Sequence, residues 1–288
     1  MRLTFDRGTV LFDDPPPSFD PAGLPDVKWD PRVGKHRAPA CHAYAIVSEL
    51  RRRGQTIEAA PRPALGAPSG FRPVALRPYQ AAALDAWRLA GRRGVIALPT
   101  GSGKTQVALS AIAATRTSCL CLVPTRALLA QWLTALQAIH DGPLGRFGDG
   151  ERVLAPITVA TYAAAYRHMA RLGDRFGLLI VDEAHHFGQG RQDEALEMSI
   201  APLRLGLTAT PSAPGPGTTR LQALLGPVVF QRSIGELTGP YLAPLERITW
   251  HLDLEPDERR EYGALCAVYR QAWLAFAGGH LGAKWEDF

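Results

Sequence analysis

Ala97-Leu98-Pro99-Thr100-Gly101-Ser102-Gly103-Lys104-Thr105 is the stretch on which the reading of this chain turns. The apolar run Gly94-Val95-Ile96-Ala97-Leu98 leads into it, and the helix-compatible Lys104-Thr105-Gln106-Val107-Ala108-Leu109 leads out. A strand must therefore turn into a helix here, leaving backbone N–H groups free at the helix start. Gly101 and Gly103 let the chain curl tightly, and the free N–H groups of residues 100–105 together with the helix dipole favour an anionic phosphate. Lys104 is placed to reach the β/γ-phosphates and Thr105 to ligate magnesium, so residues Thr100, Gly101, Ser102, Gly103, Lys104 and Thr105 form a candidate ATP-phosphate loop. The strict form of this loop begins with glycine; here Leu98 stands in that position, which makes it the relaxed form.

A second segment fits the first. Leu178-Leu179-Ile180-Val181 is continuous and apolar, suited to a buried parallel strand, and Asp182-Glu183 follow at its C-terminal end. Open α/β sheets place their ligands at that end. Asp182 is expected to hold magnesium, and Glu183 to orient or deprotonate the attacking water, because phosphoryl transfer depends on positioning and electrostatics. With Lys104 they make the candidate catalytic set. Taken alone, an Asp-Glu pair is also what a solvated strand end looks like.

The order of the remaining segments resembles the superfamily 2 helicases and translocases over residues 72–232. Leu76-Arg77-Pro78-Tyr79-Gln80 is similar to their adenine-reading segment, and Asp182-Glu183-Ala184-His185 to a DEAH-type box. Val123-Pro124-Thr125-Arg126-Ala127-Leu128 and Thr158-Val159-Ala160-Thr161-Tyr162 resemble segments that touch the nucleic-acid backbone, and Leu207-Thr208-Ala209-Thr210-Pro211 resembles the segment coupling hydrolysis to movement. The resemblance implies that Arg77 and Gln80 serve adenine, and that Pro124, Thr125, Arg126 and Thr161 serve the nucleic acid. It also implies that His185 links the nucleotide site to Thr208 and Thr210, whereas His186 is read as structural. Each has a plainer alternative: Arg77 and Gln80 can cap the helix over Ala81-Ala82-Ala83-Leu84-Asp85-Ala86-Trp87, and Thr125 can cap the helix carrying Leu128, Leu129, Trp132, Leu133 and Leu136. A helix start can serve both purposes.

Within the superfamily the chain is most similar to XPB-type DNA helicases. Trp29-Asp30-Pro31-Arg32-Val33-Gly34-Lys35-His36-Arg37-Ala38-Pro39-Ala40, with Tyr44 and Ile46-Val47-Ser48-Glu49-Leu50, resembles the small module preceding the motor in that group. The group's Arg-Glu-Asp loop is not seen after Thr210, where the chain reads Pro211-Ser212-Ala213-Pro214-Gly215-Pro216-Gly217. Translocation without efficient strand separation is compatible with that departure.

Composition sets the outer bounds. The 288 residues are 46% hydrophobic, enough for one large domain with smaller parts, and the net charge of +5 suits a nucleic-acid partner without choosing DNA over RNA. Arg51-Arg52-Arg53 is the sharpest basic cluster, either a phosphate contact or a solvated helix end. Four scattered cysteines argue against a disulfide framework and for a reducing cytoplasm. Cys119 and Cys121 are expected on the same side of a buried strand. No secretory leader and no run long enough to span a bilayer is present, so no membrane association is expected.

Three regions follow. Residues 1–70 are expected to be a small α+β module, with β-like Leu3-Thr4-Phe5 and Thr9-Val10-Leu11-Phe12, a helix near 40–53, and a Pro/Gly-rich linker over 61–70. Residues 71–235 alternate strands and helices, and the fold class is α/β: a RecA-like P-loop NTPase lobe with a parallel sheet flanked by helices. Residues 236–288, with the alternating Ile248-Thr249-Trp250-His251-Leu252-Asp253-Leu254 and a helix from Pro256, are expected to start a second lobe. No Gln-x-x-Gly-Arg-x-x-Arg segment follows and the chain stops at Trp285-Glu286-Asp287-Phe288, which reads as a fragment whose second lobe, or a nuclease or repair partner, lies elsewhere. Hydrolysis by these residues alone is then expected to be slow, since the missing arginine finger is worth roughly 10³–10⁵ in turnover. The function these observations imply is an ATP- and magnesium-dependent DNA helicase or translocase; the alternatives are an ATP/DNA sensor without turnover, a DEAH-type RNA helicase or a restriction-enzyme motor.

Overall fold

The computed structural model describes residues 1–188, 190–210, 215–239, 241–243, 248–250 and 252–279. Residues Met1–Ala243 form one compact unit and Pro244–Phe288 another.

The chain begins with antiparallel strands β1 (Arg2–Asp6), β2 (Thr9–Asp13), β3 (Lys28–Asp30) and β4 (Lys35–Pro39), in the order β1-β2-β4-β3, followed by helix α1 (Ala43–Arg52). Alternation along the first two strands turns Leu3, Val10 and Phe12 inward against Ile46 and Leu50 of α1. Ile200, from the main sheet's side of the unit, joins this small core. Arg52 and Arg53 at the end of α1 are not free for phosphate: both clasp Glu49, and Arg53 also donates to the carbonyls of Asp20 and Ala22. The two guanidinium groups, Arg52 first, hold the Glu49 carboxyl at about 2. Residues 61–70 take no helix or strand, yet they are pinned, with Ala64 and Leu65 donating to the carbonyls of Asp174 and Arg175.

The main sheet is built from α2 (Pro78–Leu89), β5 (Arg93–Ala97), α3 (Lys104–Thr115), β6 (Cys119–Val123), α4 (Arg126–Gln137), β7 (Leu144–Gly148), β8 (Glu151–Val153), β9 (Ile157–Thr161) and α5 (Tyr162–Leu172). It continues through β10 (Leu178–Val181), α6 (Glu194–Glu197), β11 (Leu203–Thr208), α7 (Pro216–Leu225), β12 (Val228–Gln231) and α8 (Ile234–Leu237). Strand order is β12-β5-β11-β10-β6-β9-β7-β8, parallel except for the β7–β8 hairpin. Alternate residues serve opposite faces. Ile96, Cys121, Val159, Ile180 and Leu205 pack with Trp87, Ile112 and Trp132, while Val95, Leu122, Ala160, Leu179 and Val181 pack with Met169, Leu196 and Leu225. Burial on both faces explains why these strands read as continuous apolar runs. Cys119 and Cys121 are buried free thiols whose Sγ atoms lie 3.7 Å apart, on one side of β6.

This order positions the ligand end. β10 and β11 come late in the chain but insert between β5 and β6. Asp182 and Thr208, at their C-terminal ends, are thereby brought beside the loop that leaves β5. A buried charge holds this region: Arg204 of β11 has no exposure and no carboxylate partner among the described residues, and donates instead to the carbonyls of Ala201, Leu196, Leu224 and Ser199 at 2.7–3.0 Å. Burial pulls its pKa down to about 10, which leaves it charged at neutral pH.

In the second unit, Pro256–Gly279 form α9. Residues 248–250 and 252–255 form no strand, so the alternation of that run is not used in a sheet among the described residues. Residues 211–214, in the stretch after Thr210, and residues 280–288, with the terminal Trp285-Glu286-Asp287-Phe288, lie outside the described residues. No helix is long and apolar enough to cross a membrane among the described residues.

Candidate nucleotide site and its neighbours

Beyond β5 the chain turns sharply. Ser102 is buried, with its amide and hydroxyl both donating to the Pro99 carbonyl at 3.3 and 2.6 Å. Gly101 and Gly103 both have φ of 79°. At Gly103 two demands coincide: the left-handed backbone disfavours a side chain, and a Cβ would meet Gln80 Nε2 at 2.5 Å. Lys104 opens α3 and folds back, its Nζ donating to the Leu98 carbonyl at 3.1 Å. Burial lowers its proton affinity, and the charges of Glu183 and Asp182 partly restore it. Thr105 is half-buried and Thr100 exposed.

Gln80 and its neighbours brace this loop from behind. Tyr79 Oη and Gln80 Nε2 both donate to the Ser102 carbonyl, at 2.6 and 2.7 Å. The Arg77 amide donates to Gln80 Oε1 at 2.8 Å, which caps α2. Arg77 Nη1 donates to the Tyr241 carbonyl at 3.0 Å. The capping role is therefore occupied in Gln80, and the same side chain touches the phosphate-loop backbone.

The acidic pair lies across from Lys104. Asp182 is buried, with Oδ2 accepting from Trp132 Nε1 at 2.8 Å and Oδ1 from the Glu183 amide at 3.1 Å. Burial raises its proton affinity and the Trp132 bond opposes the rise. Glu183 has φ 52° and ψ 50°, an unusual conformation for a residue with a side chain. Tyr162 holds it there: its hydroxyl donates to the Asp182 carbonyl and, at 3.2 Å, to that of Glu183.

From Glu183 a polar chain runs to β11. His185 Nδ1 is 3.4 Å from Glu183 Oε2 and 3.0 Å from Thr208 Oγ1. Thr208 Oγ1 donates to the Thr210 carbonyl at 2.9 Å and accepts from the Thr210 amide at 3.2 Å. With the hydroxyl proton so committed, the proton between His185 and Thr208 sits on Nδ1. The Thr208 carbonyl accepts from the Leu98 amide at 2.9 Å, so one residue touches both the DEAH-like turn and the phosphate loop. His186 takes no part in this chain and lies tilted beside His185, with ring centroids 4.3 Å apart.

The residues expected to meet nucleic acid lie on the next strands. Thr125 is exposed and caps α4, its hydroxyl accepting from the Leu128 amide at 3.2 Å; Pro124 beside it is half-buried. Thr161 is buried and caps α5, accepting from the Ala164 amide at 3.3 Å. Arg126 pairs with Asp149 at 2.8 Å, and Arg126 and Thr161 line one cavity of about 290 Å³.

Three contacts escaped sequence reasoning. Trp132 belongs to the apolar stripe of α4 and reads as core, although its indole N–H serves Asp182. Tyr162 follows the motif threonine and shows no sign of reaching the carboxylate turn. Tyr79 adjoins Gln80, and that adjacency was the one available signal.

Residues 73–213 match the family described as "Type III restriction enzyme, res subunit", and residues 3–58 the "Xeroderma pigmentosum group B helicase damage recognition domain". The DNA 3'-5' translocase XPB2 of Sulfurisphaera tokodaii is 34% identical over 92% of this chain and 58% of its own length. The DNA 3'-5' helicase XPB of Kineococcus radiotolerans is 30% identical over 65% of this chain and 36% of its own. The chain thus spans little more than half the length of the first relative and about a third of the second. Among solved structures, the UvsW helicase of bacteriophage T4 is matched with a TM-score of 0.47 at 17% identity, over 80% of this chain and 99% of that one.

Proposed function

The chain belongs, over the region it spans, to the XPB-type group of superfamily 2 motors, and on that premise we propose that it binds magnesium-ATP at the loop after β5 and couples its hydrolysis to movement along DNA. The observation that carries this reading is the meeting of three strand ends: the phosphate loop, the Asp182–Glu183 pair and Thr208, joined through His185 and Leu98.

In this reading the amides of residues 101–105 cradle the phosphates, and Lys104 exchanges the Leu98 carbonyl for a phosphate oxygen. The Thr105 hydroxyl and Asp182 carboxylate are hard oxygen donors of the kind magnesium takes alongside nucleotide phosphates. Magnesium there supplies charge neutralisation between the phosphates. Glu183 orients or deprotonates water, and its left-handed backbone turns the carboxylate toward His185. Arg77 and Gln80 serve adenine, and Pro124, Thr125, Arg126 and Thr161 serve the nucleic-acid backbone. His185, Thr208 and Thr210 transmit the state of Glu183 to β11.

Residues 1–70 would be the N-terminal module and linker, 71–235 the first RecA-like lobe, and 236–288 the start of a second. The relatives act on DNA by name, which favours DNA over RNA here, and an intact Glu183 argues against a module that only senses ATP. We place the protein in the cytoplasm, with DNA as its partner.

Coupling is tested by measuring ATP affinity and turnover with and without single- and double-stranded DNA, in wild type, Lys104→Ala and Glu183→Gln. DNA should change ATP affinity or turnover, and ATP should change DNA affinity by the same factor as its own affinity changes. Both effects should vanish in Lys104→Ala. ATP affinity and turnover that DNA both leaves unchanged would overturn the coupling.

A further inference from the structure

The hairpin between β7 and β8 closes with a two-residue turn, Asp149-Gly150, between the paired Gly148 and Glu151. Both turn residues have positive φ, 54° and 84°, the geometry that Asp-Gly and Asn-Gly favour. The turn delivers the Asp149 carboxylate to two arginines: Oδ1 lies 2.8 Å from Arg126 Nη1 and Oδ2 lies 3.6 Å from Arg146 Nη2. Glu151 is separately occupied by Arg146 at 3.1 Å.

Behind this turn lies the 290 Å³ cavity lined by Arg126, Asp149, Arg152, Thr161 and Arg167. Two helices of 12 and 11 residues, α4 and α5, begin at it, with Arg126 as the first residue of one and Thr161 as the cap of the other. Arg152 and Arg167 have no carboxylate partner among the described residues. His168, which also lines the cavity, has its proton affinity lowered by burial and then by Arg152, Arg171 and Arg167. In this setting the Arg126–Asp149 pair is weak: the arginine side chain is 75% exposed, and solvent-exposed ion pairs contribute little. A phosphate oxygen makes at least as good an acceptor for the same guanidinium.

We propose that this cavity seats a phosphate of the DNA backbone, and that Asp149 holds that phosphate's place on Arg126 until DNA arrives. Binding then exchanges one anion for another on the same arginine, with Arg152 and Arg167 supplying the excess positive charge. The inference rests on the DNA reading above and adds to it a built-in competitor that sets how tightly the motor grips its track.

Asp149→Asn is the direct test, because an Asn-Gly turn keeps the hairpin while freeing Arg126. Binding of a fluorescent DNA duplex and of a single strand is measured across a salt series for wild type, Asp149→Asn, Arg126→Ala and the double variant, with Asp85→Asn on α2 as a remote charge control. Asp149→Asn should bind about twofold to fivefold more tightly at low salt, the scale of one exposed ion pair, and the gain should shrink as salt screens the competition. The gain should disappear in the Arg126→Ala background and be absent in Asp85→Asn. An equal gain without Arg126, an equal gain in Asp85→Asn, or no gain while the wild type binds DNA, would each overturn the exchange. Failure of wild type and Asp149→Asn alike to bind DNA would overturn the DNA reading itself, and the exchange with it.

Discussion

His185 Nδ1 lies 3.0 Å from Thr208 Oγ1, and the same Thr208 receives the Leu98 amide on its carbonyl. One threonine thus contacts both the turn that carries Glu183 and the first residue of the phosphate loop. Thr208→Val keeps the shape and removes the hydroxyl. It should cost about 1 kcal/mol of stability, the usual net worth of a hydrogen bond, and leave ATP affinity within a factor of about two while abolishing any effect of DNA on turnover. Denaturant titration and coupled ATPase assays read the two effects separately.

The same contact gives a pH dependence. Burial, and then the neighbouring His186, lower the proton affinity of His185 below the ordinary histidine value of 6.5, so its neutral form is the folded one. A depressed base binds fewer protons folded than unfolded. Its contribution to stability is therefore present above pH 6.5 and lost as pH falls through the depressed value. Stability of wild type should decline over that window, and a His185→Gln variant should lose that part of the decline.

Lys104 and Asp182 are charges kept partly or largely from water, without a salt-bridge partner of their own among the described residues. Lys104→Met should weaken ATP binding tenfold or more, the scale of a lost charge-assisted hydrogen bond, yet melt no lower than wild type. Asp182→Asn should melt close to wild type, relief of the buried charge offsetting the acceptor lost to either Trp132 or the Glu183 amide, and should remove the magnesium dependence of nucleotide binding. Calorimetric titration alongside thermal melts separates function from stability in both.

Arg204 should behave in the opposite way. Replacing it with Met leaves the carbonyls of Ala201, Leu196 and Ser199 without the donor they share, and that of Leu224 with Arg93 alone, in a site that Arg204 fills without exposure. A loss of about 3 kcal/mol or more is expected, with only partial recovery in Arg204→Lys, whose ammonium cannot span partners arranged for a planar fork. Equilibrium unfolding in urea measures it.

What the sequence disclosed was local, and what it hid was distant. The strand–turn–helix over residues 93–115 is legible because strand, glycines and helix are consecutive, and Gly101 and Gly103 each answer a backbone demand in their own turn. Thr125 is legible as a cap for the same reason, whereas the cap at Thr161 emerges only in the structure. Trp132 and Asp182 are 50 residues apart, and nothing in an apolar helical stripe marks which indole will face a carboxylate. The carbonyl nest around Arg204 is hidden because carbonyls carry no residue identity. Arg51-Arg52-Arg53 reads as a cation cluster until Glu49, one turn earlier, is seen to hold two of its members. The alternating run before α9 is the converse case, a period-two pattern without a neighbouring strand among the described residues.

The central claim is that residues 97–105 with Asp182 and Glu183 form a magnesium-ATP site. The most direct test is calorimetric titration of this chain with ATP, with and without magnesium, against Lys104→Ala. Magnesium-enhanced binding at one site, lost in the variant, is the expected result. No binding by wild type, or binding that Lys104→Ala leaves intact, would contradict the account.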